Sequence, residues 1–163
     1  MRYILRQHEI VPDEWAHLGE EVTAGVPLIV PLAELRAERA RWHAWRGPLG
    51  IRLTPADRVE ELSAELPLVR LVAVEFPNAG DGRGYSQGRL LRTRLEFRGE
   101  LRALGAGVRQ DQVFLLARCG FESFELAAGE DLNAARRALA RYSVAYQPGA
   151  SQVPLERQRF FAP

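Results

Sequence analysis

Five short apolar runs, at residues 26–30, 49–53, 69–76, 100–104 and 121–126, recur along this chain at roughly two-dozen-residue spacing, separated by amphipathic stretches. That spacing is the length of one βα unit. Strands alternating with helices argue for an α/β fold of about five βα units around a mainly parallel sheet. The intervening stretches carry helix signals of their own. Thr54-Pro55-Ala56-Asp57 supplies a cap, a proline at the first helical position and an acid in the first turn, ahead of Val59, Leu62 and Leu66 on one face. Leu32, Leu35, Trp42 and Trp45 recur at helical spacing until Gly47-Pro48 stops them. Ser86 is placed to cap a third helix through Leu90, Leu91 and Leu95, and Val113, Leu116 and Ala117 predict a fourth that ends at Gly120. Asp131 caps a fifth, with Leu132, Ala135, Leu139 and Tyr142 on its buried face.

A chain of 163 residues has the size of one domain with one core. Residues 1–148 are expected to form it. Residues 1–25 read as a strand and a turn at Val11-Pro12-Asp13-Glu14-Trp15, packed on the domain as a lid or edge, and residues 149–163 as a polar, proline-broken tail. The βα pattern admits an open doubly wound sheet or a partial barrel, half of a TIM-type barrel. A parallel sheet covered on both faces has almost wholly apolar strands, yet successive runs here carry Arg52, Glu75, Arg102 and Glu125. If they share one face they form a paired polar interior, because unpaired buried charge costs several kcal/mol. At strand ends they would sit in solvent. The first placement favours the half-barrel, whose exposed sheet edges would favour a homodimer.

Composition excludes several classes of function. Apolar residues make up 47% and charged residues 26%, as in ordinary globular proteins. The net charge is +1 with both signs interspersed, so no basic stripe is available for nucleic acid. No run approaches the roughly twenty apolar residues that span a bilayer, and the first residues lack a sustained apolar region, so a cytoplasmic protein with no membrane partner is expected. All 22 basic residues are arginine, a pattern that GC-rich codon usage produces. The single cysteine, Cys119, can neither form an intramolecular disulfide nor by itself hold a cluster or closed zinc site. At a helix C-terminus the dipole raises its pKa, which points to a buried apolar role. His8, His17 and His43 fall away from the strand-end loops, and no metal or Ser-His-Asp set can be assembled.

The segment Phe76-Pro77-Asn78-Ala79-Gly80-Asp81-Gly82-Arg83-Gly84-Tyr85-Ser86 leaves the third run and enters a helix, the place where parallel α/β proteins bind ligands. Its glycines permit close backbone approach, and Arg83, Arg89 and Arg92 could grip a phosphate, sulfate or sulfite. It is neither a Walker loop nor a dinucleotide fingerprint, since the third glycine falls at Gly88, one place late. The alternative is a tight turn in which Asp81 receives backbone N–H groups and pairs with an arginine. Asp111 and Gln112 leave the next run and would lie beside this loop as part of a site, or simply open a helix.

The ordered motifs Phe76-Pro77, Asp81 to Ser86, Arg89-Leu90-Leu91-Arg92, Gly99-Glu100-Leu101-Arg102-Ala103, Asp111-Gln112 and Arg118-Cys119-Gly120-Phe121-Glu122-Ser123-Phe124-Glu125 give the chain a likeness. It resembles the bacterial domain of unknown function family 934, over about two thirds of its length. Members are typically encoded beside assimilatory sulfite reductase genes. The resemblance therefore implies an accessory protein of sulfate assimilation and cysteine biosynthesis, acting with sulfite reductase as partner. The family's frequent oxidoreductase label is not matched by any flavin, nicotinamide, haem or cluster motif, so no cofactor and no independent catalysis are expected. A small oxyanion-binding enzyme is the alternative.

Overall fold

The computed structural model describes residues 2–21 and 23–140. Among them eight strands form one sheet in the order β2-β1-β8-β7-β6-β5-β4-β3. These are β1 Tyr3–Arg6, β2 Glu9–Pro12, β3 Ala16–His17, β4 Leu28–Pro31, β5 Leu49–Leu53, β6 Leu71–Glu75, β7 Glu100–Leu104 and β8 Ser123–Phe124. From β3 to β8 all neighbours are parallel, whereas β1 pairs antiparallel with both β8 and β2. The parallel strands follow chain order without a reversal. A doubly wound sheet requires a switch point, so that alternative is excluded.

The sheet has to curl. Eight strands about 4.8 Å apart would separate β2 from β3 by about 34 Å if flat, but only residues 13–15 connect them, which span at most about 14 Å. The result is a curled half-barrel. The count of five βα units is not reproduced: β1, β2 and β3 add three strands, and the connections from β3 to β4 and from β5 to β6 have no α-helix among the described residues.

Lateral register assigns the two faces. Val30, Ile51, Val72 and Leu101 are paired in one row, and Leu53, Val74, Ala103 and Phe124 in another. Both rows join the main core with Leu32, Leu35, Trp42, Leu91, Val113, Leu116, Ala135 and Leu139 from the helices. Successive crossovers of one hand place their helices on one side of the sheet, which makes this the convex face. The opposite face holds a smaller cluster of Ile29, Leu71, Ala73 and Leu104 under Trp15.

Three of the expected helices differ at the local level. The stretch after Thr54 forms no α-helix, only 3-10 turns at Val59–Glu61 and Leu66–Leu68. Asp57 turns its carboxylate back to the Thr54 N–H and hydroxyl, at 2.6 and 2.8 Å. The Thr54 and Asp57 carbonyls, acceptors in any continuing helix, instead receive the buried Gln87 amide at 2.9 Å each. The expected first helix is broken into α1, Leu32–Ala37, and α2, Arg39–His43, by a non-helical Glu38, and the Trp42 indole donates to the Glu34 carbonyl. Ser86 does not cap α3, Arg83–Thr93, whose N-cap is Gly82, and Leu95 lies beyond its end. At the expected turn, Val11 and Pro12 end β2 and residues 13–15 form an irregular crossing.

The other two helices follow expectation. Helix α4, Val113–Arg118, is followed by Gly120 at φ 101°, and α5, Leu132–Ala140, starts with the Asp131 carboxylate accepting the Asn133 N–H. Tyr142 and the tail at 149–163 lie outside the described residues.

Helix α3 sits close on the sheet through glycine. A Cβ on Gly84 would come within 2.5 Å of the Phe76 ring, and one on Gly88 within 2.4 Å of the Phe121 ring. Phe76 is 2% exposed and wedged edge-on between Tyr85 and Phe121, so it has nowhere to go. Alanine would gain about 1 kcal/mol in helix propensity against an overpacking cost of about 1–3 kcal/mol. Gly84→Ala should therefore destabilise the protein by up to about 2 kcal/mol, read as a fall in Tm by differential scanning calorimetry.

Candidate functional site

The Asp81 segment leaves β6 at its carboxyl end and is held largely by its own groups. Asp81 accepts the Arg83 backbone N–H at 3.1 Å, and both its oxygens take the Arg83 guanidinium, at 3.0 and 2.6 Å. The tight-turn reading of this loop is what the structure contains. Hydrogen bonding to Arg83, through side chain and backbone, holds the Asp81 carboxyl below its ordinary value. Asn78 receives Gly80 N–H on its side chain, and Gln112 donates to the Ala79 carbonyl at 3.4 Å. A Cβ on Gly107 would meet the Asn78 carbonyl at 2.4 Å, so the loop after β7 buttresses this one directly.

The remaining residues of the expected site separate into two groups. Asp111 and Gln112 do lie beside the loop, with Gln112 at the N-cap of α4, while Tyr85 packs inward on Phe76 and Ser86 and Arg89 are exposed along α3. Arg92 is elsewhere, near the far end of α3. Its guanidinium donates to the carbonyls of Gly120, Phe97 and Gly99 at 3.0, 2.7 and 2.8 Å and faces Glu122 at 3.3 Å. It ties the helix end to the strand ends and does not converge on the loop. The glycines Gly84 and Gly88 likewise serve helix packing. Burial pushes the Cys119 thiol up, which the Arg89 and Arg118 charges only partly offset.

The concave face carries the dense chemistry. Arg52, Ala73, Arg102 and Ser123 form one lateral row, with Glu75 and Glu125 two residues further along their strands, so the four expected interior charges share one face. Arg52 and Glu75 pair at 3.8 Å near solvent. Arg102 is fully buried. Its guanidinium spans Asp13, at 2.9 and 3.1 Å, and Glu100, at 2.9 and 3.2 Å. The Asp13 side chain is itself fully buried and accepts the Trp15 N–H and the Arg2 guanidinium, and Glu100 accepts the Ser123 hydroxyl at 2.7 Å. Glu125 bonds His17 Nε2 at 3.1 Å and faces Arg2 at 3.7 Å. Burial raises the Glu125 carboxyl, but the His17 hydrogen bond and the His17 and Arg2 charges outweigh it, and the net shift is downward.

Sequence reasoning missed Asp13, His17, Glu100 and Arg2. The first two had a readable cue, since Asp13, Trp15 and His17 alternate with period two and all point into the concavity in an extended chain. Ligand atoms of Asp13, His17 and Glu125 lie within 4.8 Å of one another, a spacing that would suit a metal. Each of the three already has protein partners. Asp13 serves two guanidinium groups and a backbone N–H, and Arg2 stands beside Glu125 as the resident cation. The arrangement is an ion-pair lock that fastens the crossing residues 13–17 to β7 and β8.

Removing one partner of such a buried set leaves its counter-charges unpaired, at about 3–5 kcal/mol. Arg102→Met should lower the urea midpoint accordingly, by about 2 M, and adding Asp13→Asn should recover part of the loss, a non-additivity measurable in a double-mutant cycle. Because the Glu125 pKa is lower in the folded state than its ordinary 4.5, its contribution is complete above that value and is lost as pH falls through the folded pKa. The acid limb of a stability profile should be shallower for Glu125→Gln than for the parent.

No curated protein matches the chain. A family model described as bacterial protein of unknown function (DUF934) matches residues 50–155, a span that includes β5 to β8, the Asp81 loop, Arg102 and Glu125. With well over half of its length covered, and the loop and polar interior both inside the match, the chain belongs to the DUF934 family.

Proposed function

We propose that this protein is a non-catalytic accessory component of assimilatory sulfite reduction, which presents the Asp81 loop to sulfite reductase. The observation that carries the reading is the self-satisfaction of that loop. Residues 77–80, with Gly82 and Arg83, are exposed at the strand ends, yet the loop's polar side chains are spent on internal bonds. A rigid, preformed projection of this kind suits docking to a protein, because little ordering entropy remains to be lost on binding. The link to sulfite reductase rests on the family's usual gene neighbourhood. No helix among the described residues is long and apolar enough to cross a membrane.

Deleting the gene should abolish growth on sulfate, with rescue by sulfide and not by sulfite. Normal growth of the deletion strain on sulfate as sole sulfur source would overturn the reading. Sulfite reductase should co-purify with the tagged protein, and Arg83→Ala should weaken that recovery while changing stability by under about 1 kcal/mol, the worth of an exposed ion pair.

The oxyanion-binding alternative would require the ligand to displace Asp81 from Arg83. A rise in Tm with millimolar sulfate or sulfite, absent in Arg83→Ala, would favour it.

A further inference from the structure

A second feature lies at the opposite end of the sheet from the Asp81 loop, where Gly47-Pro48 and Arg70 lead into β5 and β6. There a cavity of about 220 Å³ opens between the α1–α2 pair and the 3-10 turn at Leu66–Leu68. Its walls are largely apolar, with Leu35, Trp42, Leu49 and Leu68 in the lining. Leu68 is one of the few large hydrophobic side chains that stand exposed among the described residues, at 44%.

The charges around this cavity are unbalanced. Glu65 is the one carboxylate of the lining, and it is already held by Arg36 at 2.8 Å and Arg39 at 3.3 Å. Arg39, His43 and Arg70 line the cavity as well. Arg39 and His43 are four residues apart on α2 and so lie on one side of that helix. Arg70 comes from the sheet. Its N–H donates to the Leu49 carbonyl at 2.8 Å and its carbonyl accepts the Glu100 N–H at 2.9 Å, which extends the β6 ladder by one residue. Alternation along the strand then places the Arg70 side chain on the convex face with Val72 and Val74, where Leu35 and Trp42 pack. It is exposed, and neither it nor His43 has a side-chain hydrogen bond or an ion pair among the described residues.

We propose that this cavity binds a compact monocarboxylate whose body is a branched aliphatic chain or a single aromatic ring. The carboxylate pairs with the Arg70 guanidinium, whose planar fork of N–H donors matches two carboxylate oxygens. Arg39 adds positive charge and His43 a ring N–H from the helix side. The body lies against Leu35 and Trp42 and takes Leu68 out of water. Three properties of the cavity select this class. The surplus of cationic groups over Glu65 disfavours amines. The apolar wall gains nothing from inorganic sulfate or phosphate, which have no apolar surface to lay on it. At about 220 Å³ the volume falls below the roughly 300–1,000 Å³ of sites for drug-sized molecules, too small for a nucleotide.

The test is a calorimetric titration of the full chain at low ionic strength with benzoate, phenylacetate and 3-methylbutanoate, followed by the primary amide of any that binds, by acetate and by sulfate. Saturable binding of at least one of the three carboxylates is expected at millimolar concentration or below. The amide lacks the charge and should bind about tenfold more weakly or worse, the scale of a lost hydrogen bond to a charged group. Acetate lacks the apolar body and should also lose about tenfold or more, the scale of a few methylene groups withheld from the wall. Arg70→Gln alters an exposed side chain with no internal bond, so it keeps the fold, and it should weaken the carboxylate about tenfold while leaving the amide unchanged. The indole N–H resonances of Trp42 and Trp45, both in the lining, should move on binding, whereas that of Trp15 on the concave face should stay. If none of the three carboxylates binds at millimolar concentration, if the amide or sulfate binds as tightly, or if Arg70→Gln binds as the parent does, the cavity is a hydrated dent between helix and strand and the proposal is overturned.

Discussion

Arg102 is the residue on which the architecture turns. A guanidinium with no exposure cannot persist in a protein interior without charged partners on more than one side. Those partners come from different parts of the chain. Glu100 lies two residues away on the same strand, and Asp13 comes from the segment that links the two sheet edges. Satisfying Arg102 therefore draws residues 13–15 across the concave face, and the short connection obliges the sheet to curl around them. Arg2, His17 and Glu125 extend the same network, so the N-terminal residues act as an internal strap rather than a peripheral lid. Buried ion pairs of this kind add little to stability when compared with an apolar core, but removing one partner is costly because it leaves a buried charge uncompensated.

The convex side obeys a different constraint, close packing of helix on strand. Gly84 and Gly88 bring α3 against the Phe76 and Phe121 rings, and that approach fixes where the preceding loop must turn. The same glycines that look like a ligand cradle in isolation are spent on this contact. Asp81 then closes the turn with Arg83, Gln112 reaches over from the neighbouring loop, and the projection is rigid before any partner arrives. The loop's suitability for docking follows from this packing.

The two ends of the sheet are thus chemically unlike. At the carboxyl end of β6 the polar groups are matched among themselves. At the amino ends of β5 and β6, a cavity of about 220 Å³ opens between the α1–α2 pair and Leu68, with Glu65 held by Arg36 and Arg39 at its side.

Periodicity in the sequence determined the strands at 49–53 and 100–104 to the residue, the mainly parallel pairing, and the terminator at Gly120, because these depend on local apolar spacing and backbone preference. The alternating charges on successive strands also carried the half-barrel, since lateral register converts that pattern into a shared face. The stretch after Thr54 forms only 3-10 turns although its capping signals were sound, and its Thr54 and Asp57 carbonyls accept the amide of Gln87, thirty residues or more distant, a partner invisible to local spacing. Arg83 and Arg92 looked equivalent in sequence and were separated by what each found in space, a neighbouring carboxylate in one case and three carbonyls in the other. The partners of Arg102 and the cavity at Glu65 were likewise decided only in three dimensions, for hydrogen-bond matching between distant segments leaves no trace in local spacing.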